Sequence, residues 1–211
     1  MSLGSNYNSI NKKLISNSKY NIVNNSNLFE FVGEKLKENK IFGIFQGKME
    51  YGPRALGNRS IICSARDKSI NNILNNKLKR SEFMPFAPCV LGEDFYYFFE
   101  SNIKPNDFEY MTFTCKTKKV CENLVPAIVH IDKTARPQTV YKNQNEFLYK
   151  ILKEFKKKTG TGLLINTSFN VHEEPIVESF EDALKAFEMS RLDYLVLEDT
   201  IIEMKNRLDK Y

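Results

Sequence analysis

Hydrophobic positions along this chain repeat with two periods, and each period points to a kind of element. Leu28, Phe31, Val32 and Leu36 recur at helical spacing behind the polar run Asn25-Ser26-Asn27, which predicts a capped helix. Ile70, Ile73 and Leu74 predict a second helix that ends near Arg80. The clearest helical stretch is 144–158, where Phe147, Leu148, Ile151, Leu152 and Phe155 line one face and Gly160 ends the run. Ser179 predicts a cap for a helix over 180–190. Short apolar runs between these segments read as strands: 41–46, 110–116, 124–131, 162–166, 194–197 and 200–205. Helices alternating with strands place the chain in the α/β or α+β class, with a mixed, twisted sheet.

At 211 residues the chain is long enough for one domain with a real core. The opening residues 1–27 are rich in Asn and Ser and lack periodicity, so they read as a loose lead-in to a domain over 28–211. No 18-residue apolar span is present, which argues against a membrane protein. Cys63, Cys89, Cys115 and Cys121 form no CxxC pair and have no His at zinc spacing, so they read as reduced thiols in a cytoplasmic protein that binds no metal itself. The formal net charge of +5 suits an anionic small ligand as well as nucleic acid. Many lysines lie on solvated helix faces such as 150–158, so no nucleic-acid stripe is established.

Four polar clusters change this picture. The first, GKMEYGPRALGNRS (47–60), puts Lys48, Arg54 and Arg59 into one loop with three glycines. Guanidinium forks and bare backbone N–H groups suit phosphate or carboxylate oxygens. The spacing imitates half of a Walker loop, but Asn58-Arg59 stand where Lys-Ser/Thr is needed, so that motif fails. The second cluster, KLKRSEFMPFAP (77–88), carries Lys79 and Arg80. The third, TARPQT (134–139), carries Thr134 and Arg136. The fourth, INTSFN (165–170), releases Asn166, Thr167, Ser168 and Asn170 at a strand end, where open sheets bind ligands. Singly, each is also explained as a turn, a proline plug or a local capping network. His130 reads as a core or rim residue inside an apolar strand, whereas His172, after the fourth cluster, is equally placed to touch a ligand.

In this order the clusters resemble the C-terminal domain of the carbamoyltransferase family that includes nodulation and antibiotic carbamoyltransferases. The resemblance rests on GKMEYGPRALGNRSI, PFAPCVL, TARPQTV, TGTGLLINTSFNVHEEPIV, EDALKAF and LDYLVLED, and runs from about residue 28 to 205. It implies a YrdC-like fold with a concave, positively lined face. It also implies that carbamoyl phosphate and ATP, the latter with Mg, give a carbamoyl-adenylate. A separate Kae1-like domain or partner, which holds iron, then passes the carbamoyl group to an acceptor hydroxyl. On this resemblance Arg54, Lys79 and Arg136 act on the reacting groups, with Thr134 beside carbamoyl phosphate. Arg59, Asn166, Ser168 and Asn170 contact nucleotide and phosphate, and Lys48, Asn58, Arg80 and Thr167 complete the substrate-binding set.

The chain departs from the family pattern at three places. Met84 stands where an arginine precedes Pro85, Lys133 stands where Gly is common, and Glu173 stands where Gly is usual. Lys133 brings a positive charge that the Met84 position lacks. The alternative reading is a non-catalytic YrdC-like module that binds nucleotide or RNA, which would show a steep salt dependence.

Overall fold

The computed structural model describes residues 2–4, 19–79 and 86–205. Eleven strands are described: β1 (Tyr20–Ile22), β2 (Phe42–Phe45), β3 (Arg59–Ser64), β4 (Ala87–Leu91), β5 (Phe99–Glu100), β6 (Cys115–Thr117), β7 (Thr134–Ala135), β8 (Gln138–Val140), β9 (Leu163–Ser168), β10 (Tyr194–Leu197) and β11 (Thr200–Met204). Six helices accompany them: α1 (Leu28–Lys37), α2 (Ile70–Lys77), α3 (Phe95–Phe98), α4 (Lys119–Leu124), α5 (Glu146–Thr159) and α6 (Phe180–Ser190). Eight strands form one mixed sheet in the order β1-β11-β10-β2-β3-β9-β4-β8, and β5-β6-β7 form a small second sheet. This is the open mixed sheet with flanking helices that the YrdC-like resemblance implies.

Both faces of the large sheet are covered, and the strand alternation divides its residues between two cores. Phe42, Ile44, Ile62, Leu164, Tyr194 and Val196 face α1 and α5, where Val32 and Leu36 meet Leu148, Ile151, Leu152 and Phe155. Phe45, Ile61, Cys63, Ile165, Leu195 and Leu197 face the opposite way, against Ile70 and Leu74 of α2 and Phe180 and Phe187 of α6. The helix ends follow their local chemistry. The Asn27 side chain accepts from the N–H groups of Phe29 and Glu30. Ser179 and Asp182 form a reciprocal capping box. Gly160 closes α5 in the left-handed conformation.

The middle of the chain differs from the expectation. Of 110–116 only the end is strand, since β6 begins at Cys115. The expected strand 124–131 is instead the last residue of α4 followed by a 3-10 turn over Pro126–Ile128. Pro126 has no N–H to give a ladder, which disfavours a strand there. His130 therefore lies in a turn, its N–H donating to the Thr134 carbonyl at 3.2 Å. Within the expected lead-in, Tyr20–Ile22 pairs antiparallel with β11.

Strand register decides where the polar clusters go. Phe45 at the end of β2 stands opposite Arg59 at the start of β3, and Ser60 opposite Ser168 at the end of β9. Asn166 stands opposite Ala87 at the start of β4, and Cys89 beside Gln138 at the start of β8. The loop after β2, the start of β4, the Arg136 segment and the exit from β9 thus share one end of the sheet.

Candidate anion site at the sheet rim

The loop over 46–58 is held by two carboxylates that the sequence reading passed over. Glu50, 7 % exposed, turns Oε1 back into its own loop, where it accepts from the N–H groups of Leu56 and Asn58 at 2.7 Å each and of Arg59 at 3.4 Å. Glu198, just past β10, accepts from the Gly47 N–H at 2.8 Å. Burial raises the Glu198 pKa above the usual carboxylate value, while the Gly47 N–H and the charge of Arg59 pull it down. The one signal for Glu50 was its place among the glycines and arginines of the loop. Glu198 had only its position after a strand end.

Gly57 has φ +118, and a Cβ there would meet Asn145 Nδ2 at 2.7 Å and Leu148 Cδ2 at 2.8 Å. The loop is thus seated directly on the first turn of α5, which only glycine permits. Asn145 Nδ2 donates to Asn58 Oδ1 at 3.0 Å, and Asn58 Nδ2 donates to the Lys48 carbonyl at 2.7 Å. Gln138 Nε2 donates to the Leu56 carbonyl at 2.8 Å, and Asn166 Nδ2 donates to Gln138 Oε1 at 2.7 Å. The first, third and fourth clusters are therefore one hydrogen-bonded unit.

The expected site residues separate into two groups. Arg59 is fully buried, its guanidinium donating to the carbonyls of Gln46, Gly47 and Asn58 at 3.0 Å and lying 3.7 Å from the centre of the Phe45 ring. It braces the loop, and the expected phosphate contact would draw on a guanidinium already engaged with backbone carbonyls. Asn166, 1 % exposed, uses its Nδ2 on the Ala55 carbonyl and Gln138 Oε1, while its Oδ1 is buried without a partner among the described residues, and the Asn58 amide is engaged in the same framework. Ser168 donates to Asn170 Oδ1 at 2.6 Å, and Asn170 donates onward to the Glu174 carbonyl, so this half-buried pair shapes the turn after β9. Thr167 is half-buried beside it. Thr134 is tied to Asp132 by both its N–H and its hydroxyl.

Arg54 and Arg136 behave differently. Arg54 is exposed and Arg136 half-buried. Burial, and then the nearby charge of Arg54, depress the pKa of Arg136. Two guanidinium groups are thus held within electrostatic reach of each other, and among the described residues neither has an ion pair. Arg136 Nε is buried with no hydrogen-bond partner among those residues. Such a pair repels itself, and an anion between the two groups would relieve that repulsion. Lys48 is exposed at the foot of the same loop. Lys79, exposed with φ +55, follows Leu78, whose carbonyl accepts from the His172 N–H at 3.0 Å, so it joins the rim beside the turn after β9. Arg80 and Met84 lie outside the described residues. Lys133 is not free to replace an arginine, because its ammonium pairs with Glu122 at 2.6 Å. Lys133 and Glu173 have φ values of +60 and +68, which gives the physical reason that glycine is favoured at both positions. Among the described residues no group of three His, Cys, Asp or Glu is placed to hold a metal ion, and no helix is long and apolar enough to cross a membrane.

A family model described as carbamoyltransferase C-terminus matches residues 33–204. The chain belongs to that family. Nodulation protein NolNO of Sinorhizobium fredii is 40% identical over 173 residues, covering 82% of this chain and 25% of the relative. Nodulation protein NolO of Bradyrhizobium diazoefficiens is 40% identical over 158 residues, covering 74% and 29%. An uncharacterized protein of Methanocaldococcus jannaschii is 40% identical over 186 residues, covering 84% and 30%. The chain thus spans between a quarter and a third of the length of these relatives. Among solved structures, full-length HypF in a phosphate- and nucleotide-bound form superposes with a TM-score of 0.59 at 22% identity, over 86% of this chain and 26% of HypF. HypF of T. kodakarensis gives 0.57 at 16% identity, over 90% and 24%. These two likenesses establish a shared fold.

Proposed function

We propose that this family domain carries out the activation half of carbamoyl transfer, with ATP and carbamoyl phosphate bound at the rim that holds Arg54 and Arg136. The observation that supports the reading most directly is that pair: two guanidinium groups from distant loops, close together and without a described acid to balance them. Family membership supports carbamoyl chemistry, and the phosphate and nucleotide in the HypF structure are consistent with these substrates. The release of both phosphate and pyrophosphate requires one water. Water cleaves carbamoyl phosphate to carbamate and phosphate, and a carbamate oxygen then attacks the α-phosphorus of ATP as the bond to pyrophosphate breaks. Both steps move charge onto phosphoryl oxygens. Arg54 and Arg136, with Lys79 and Lys48 at the edge, supply fixed positive charge there, and no covalent nucleophile is needed. Mg2+ would arrive on the ATP phosphate oxygens with water completing its shell. Transfer to an acceptor hydroxyl falls to a Kae1-like, iron-bearing domain or partner.

The test is exchange of labelled pyrophosphate into ATP that depends on carbamoyl phosphate. Exchange in the unaltered chain, lost in Arg54→Ala and Arg136→Ala, is the expected result. Exchange that is unchanged in both variants would remove the arginines from the reaction. No carbamoyl phosphate or ATP binding by calorimetry, with RNA binding that falls steeply with salt, would favour the binding-module alternative instead.

A further inference from the structure

The turn between β10 and β11 carries a residue that local chemistry does not favour there. Leu197 pairs with Thr200, so the hairpin turns on two residues, Glu198 and Asp199. Glu198 has φ +52, in the left-handed region that hairpin turns ordinarily fill with Gly or Asn. A glutamate held there costs stability, and strain of this kind persists where the side chain serves a site.

Its contacts show which site that is. The Glu198 N–H donates to the Phe45 carbonyl at 3.0 Å, which fixes the turn against the last residue of β2. Its half-buried carboxylate reaches two residues further along the same neighbour and accepts from the Gly47 N–H at 2.8 Å. Gly47 is also held from its other side, since the buried Arg59 guanidinium donates to the Gly47 and Gln46 carbonyls at 3.0 Å each. Gly47 itself has φ +51, and nothing lies within 4 Å of where a Cβ would stand, so neighbouring side chains do not wedge it in place. Two charged groups, one from β3 and one from the turn after β10, grip its peptide instead. Glu50 ties the loop further on, through the N–H groups of Leu56 and Asn58. Between these two ties lie Lys48 and Arg54, both exposed.

We propose that Glu198 is a positioning residue for the anion site: by gripping the Gly47 N–H opposite Arg59, it sets the direction in which the loop leaves β2 and so where Arg54 presents its guanidinium. The inference rests on the reading of the rim as an anion site and adds a residue that orders it before the ligand arrives. A loop fixed in advance is spared the ordering cost that a loose one meets on binding. Simple electrostatics predicts the reverse sign. A carboxylate near a cationic rim opposes an incoming anion through its field, so its removal would tighten binding if the field were its only effect.

Calorimetric titration with inorganic pyrophosphate separates the two. Glu198→Ala is expected to weaken pyrophosphate about tenfold, whereas Glu198→Gln, which keeps an acceptor at the same reach, should stay within about twofold of the parent. In an Arg54→Ala background the alanine change should weaken binding no more than about twofold, because the group that Glu198 positions is gone. If Glu198→Ala does not fold, Glu198→Gly takes its place, since it removes the carboxylate and the left-handed strain together. Parent-like or tighter pyrophosphate binding by the alanine variant would overturn the proposal and leave the rim reading standing. Equal weakening by glutamine and alanine would do the same, as would losses that add in full in the double variant, since Glu198 would then not act through Arg54. Failure of both the alanine and the glycine variants to fold where the glutamine variant folds would make Glu198 a folding residue only and overturn the proposal too. No binding of pyrophosphate or carbamoyl phosphate by the parent would overturn both readings.

Discussion

Glu50→Ala is the sharpest test of how the rim is built. In the native loop Glu50 Oε1 takes two strong N–H bonds at 2.7 Å and a third contact at 3.4 Å, on a carboxylate only 7 % exposed. Each hydrogen bond to a charged group is worth about 1.5–3 kcal/mol, so the two short ones bound the loss at about 3–6 kcal/mol. A small cavity lined by Glu50, Leu56 and Asn58 lies alongside, about 160 Å³ in volume, and water admitted there would satisfy part of what the alanine strands. The lower end, about 3 kcal/mol, is therefore expected. For a chain of this size that is a fall in Tm of about 6–12 °C. Glu50→Gln keeps an oxygen in place and loses only the charge assistance, so about 1 kcal/mol and about 2–4 °C are expected. Thermal unfolding followed by circular dichroism reads both variants. Because Arg54 rides on this loop, carbamoyl phosphate affinity should fall in the alanine variant even at temperatures where it is folded. A Tm for Glu50→Ala within about 2 °C of the parent would refute the anchoring argument. Equal damage from glutamine and alanine would show that charge, and not the placed acceptor, is what matters.

Four further outcomes are expected. Arg54→Ala should weaken carbamoyl phosphate binding about tenfold or more by calorimetry and leave Tm unchanged, since the side chain is exposed and repels its neighbour Arg136. His130 has its folded pKa below the unfolded value near 6.5, so the unfolded chain binds the extra proton first. Stability from this group is present above that pH and is lost as pH falls below it, so His130→Gln should flatten the slope of denaturation midpoint against pH between about 7 and 5. Burial pushes the thiols of Cys89 and Cys115 up to about 12 and that of Cys121 up to about 11, and it also raises Cys63. A thiol-reactive chromophore at pH 8 should therefore label none of the four quickly in the native protein and all four in denaturant. Glu173→Gly should raise stability by about 0.5–1 kcal/mol in urea titrations, because an exposed residue at φ +68 exchanges left-handed strain for a conformation glycine adopts freely; a loss of stability would mean that the unfolded-chain entropy dominates.

The sequence by itself determined the helices and the long apolar strands. The 3.6-residue period of α5 and the runs that became β2, β9, β10 and β11 are local signals, and each element formed where its own side chains required. It also determined the four polar clusters and their order, from which the family could be read. The tertiary structure decided the rest. A three-residue strand such as β8 is too short to show alternation, and β3 begins with the last arginine of a polar loop, so both exist because neighbouring strands offer them partners. The stretch 110–131 has strand-like composition, but only Cys115–Thr117 pairs as a strand, and beyond it a short helix and a 3-10 turn begun by Pro126, which has no N–H to give a ladder, take the place of the expected second strand. Most of all, Arg54, Arg59 and Arg136 are the same residue type in polar segments, and nothing local distinguishes them. Arg59 is internal because the carbonyls of Gln46, Gly47 and Asn58 and the face of Phe45 converge around it. Arg54 and Arg136 differ because the sheet register brings their loops to one rim without a described acid to pair them, and such long-range pairing is invisible to local periodicity.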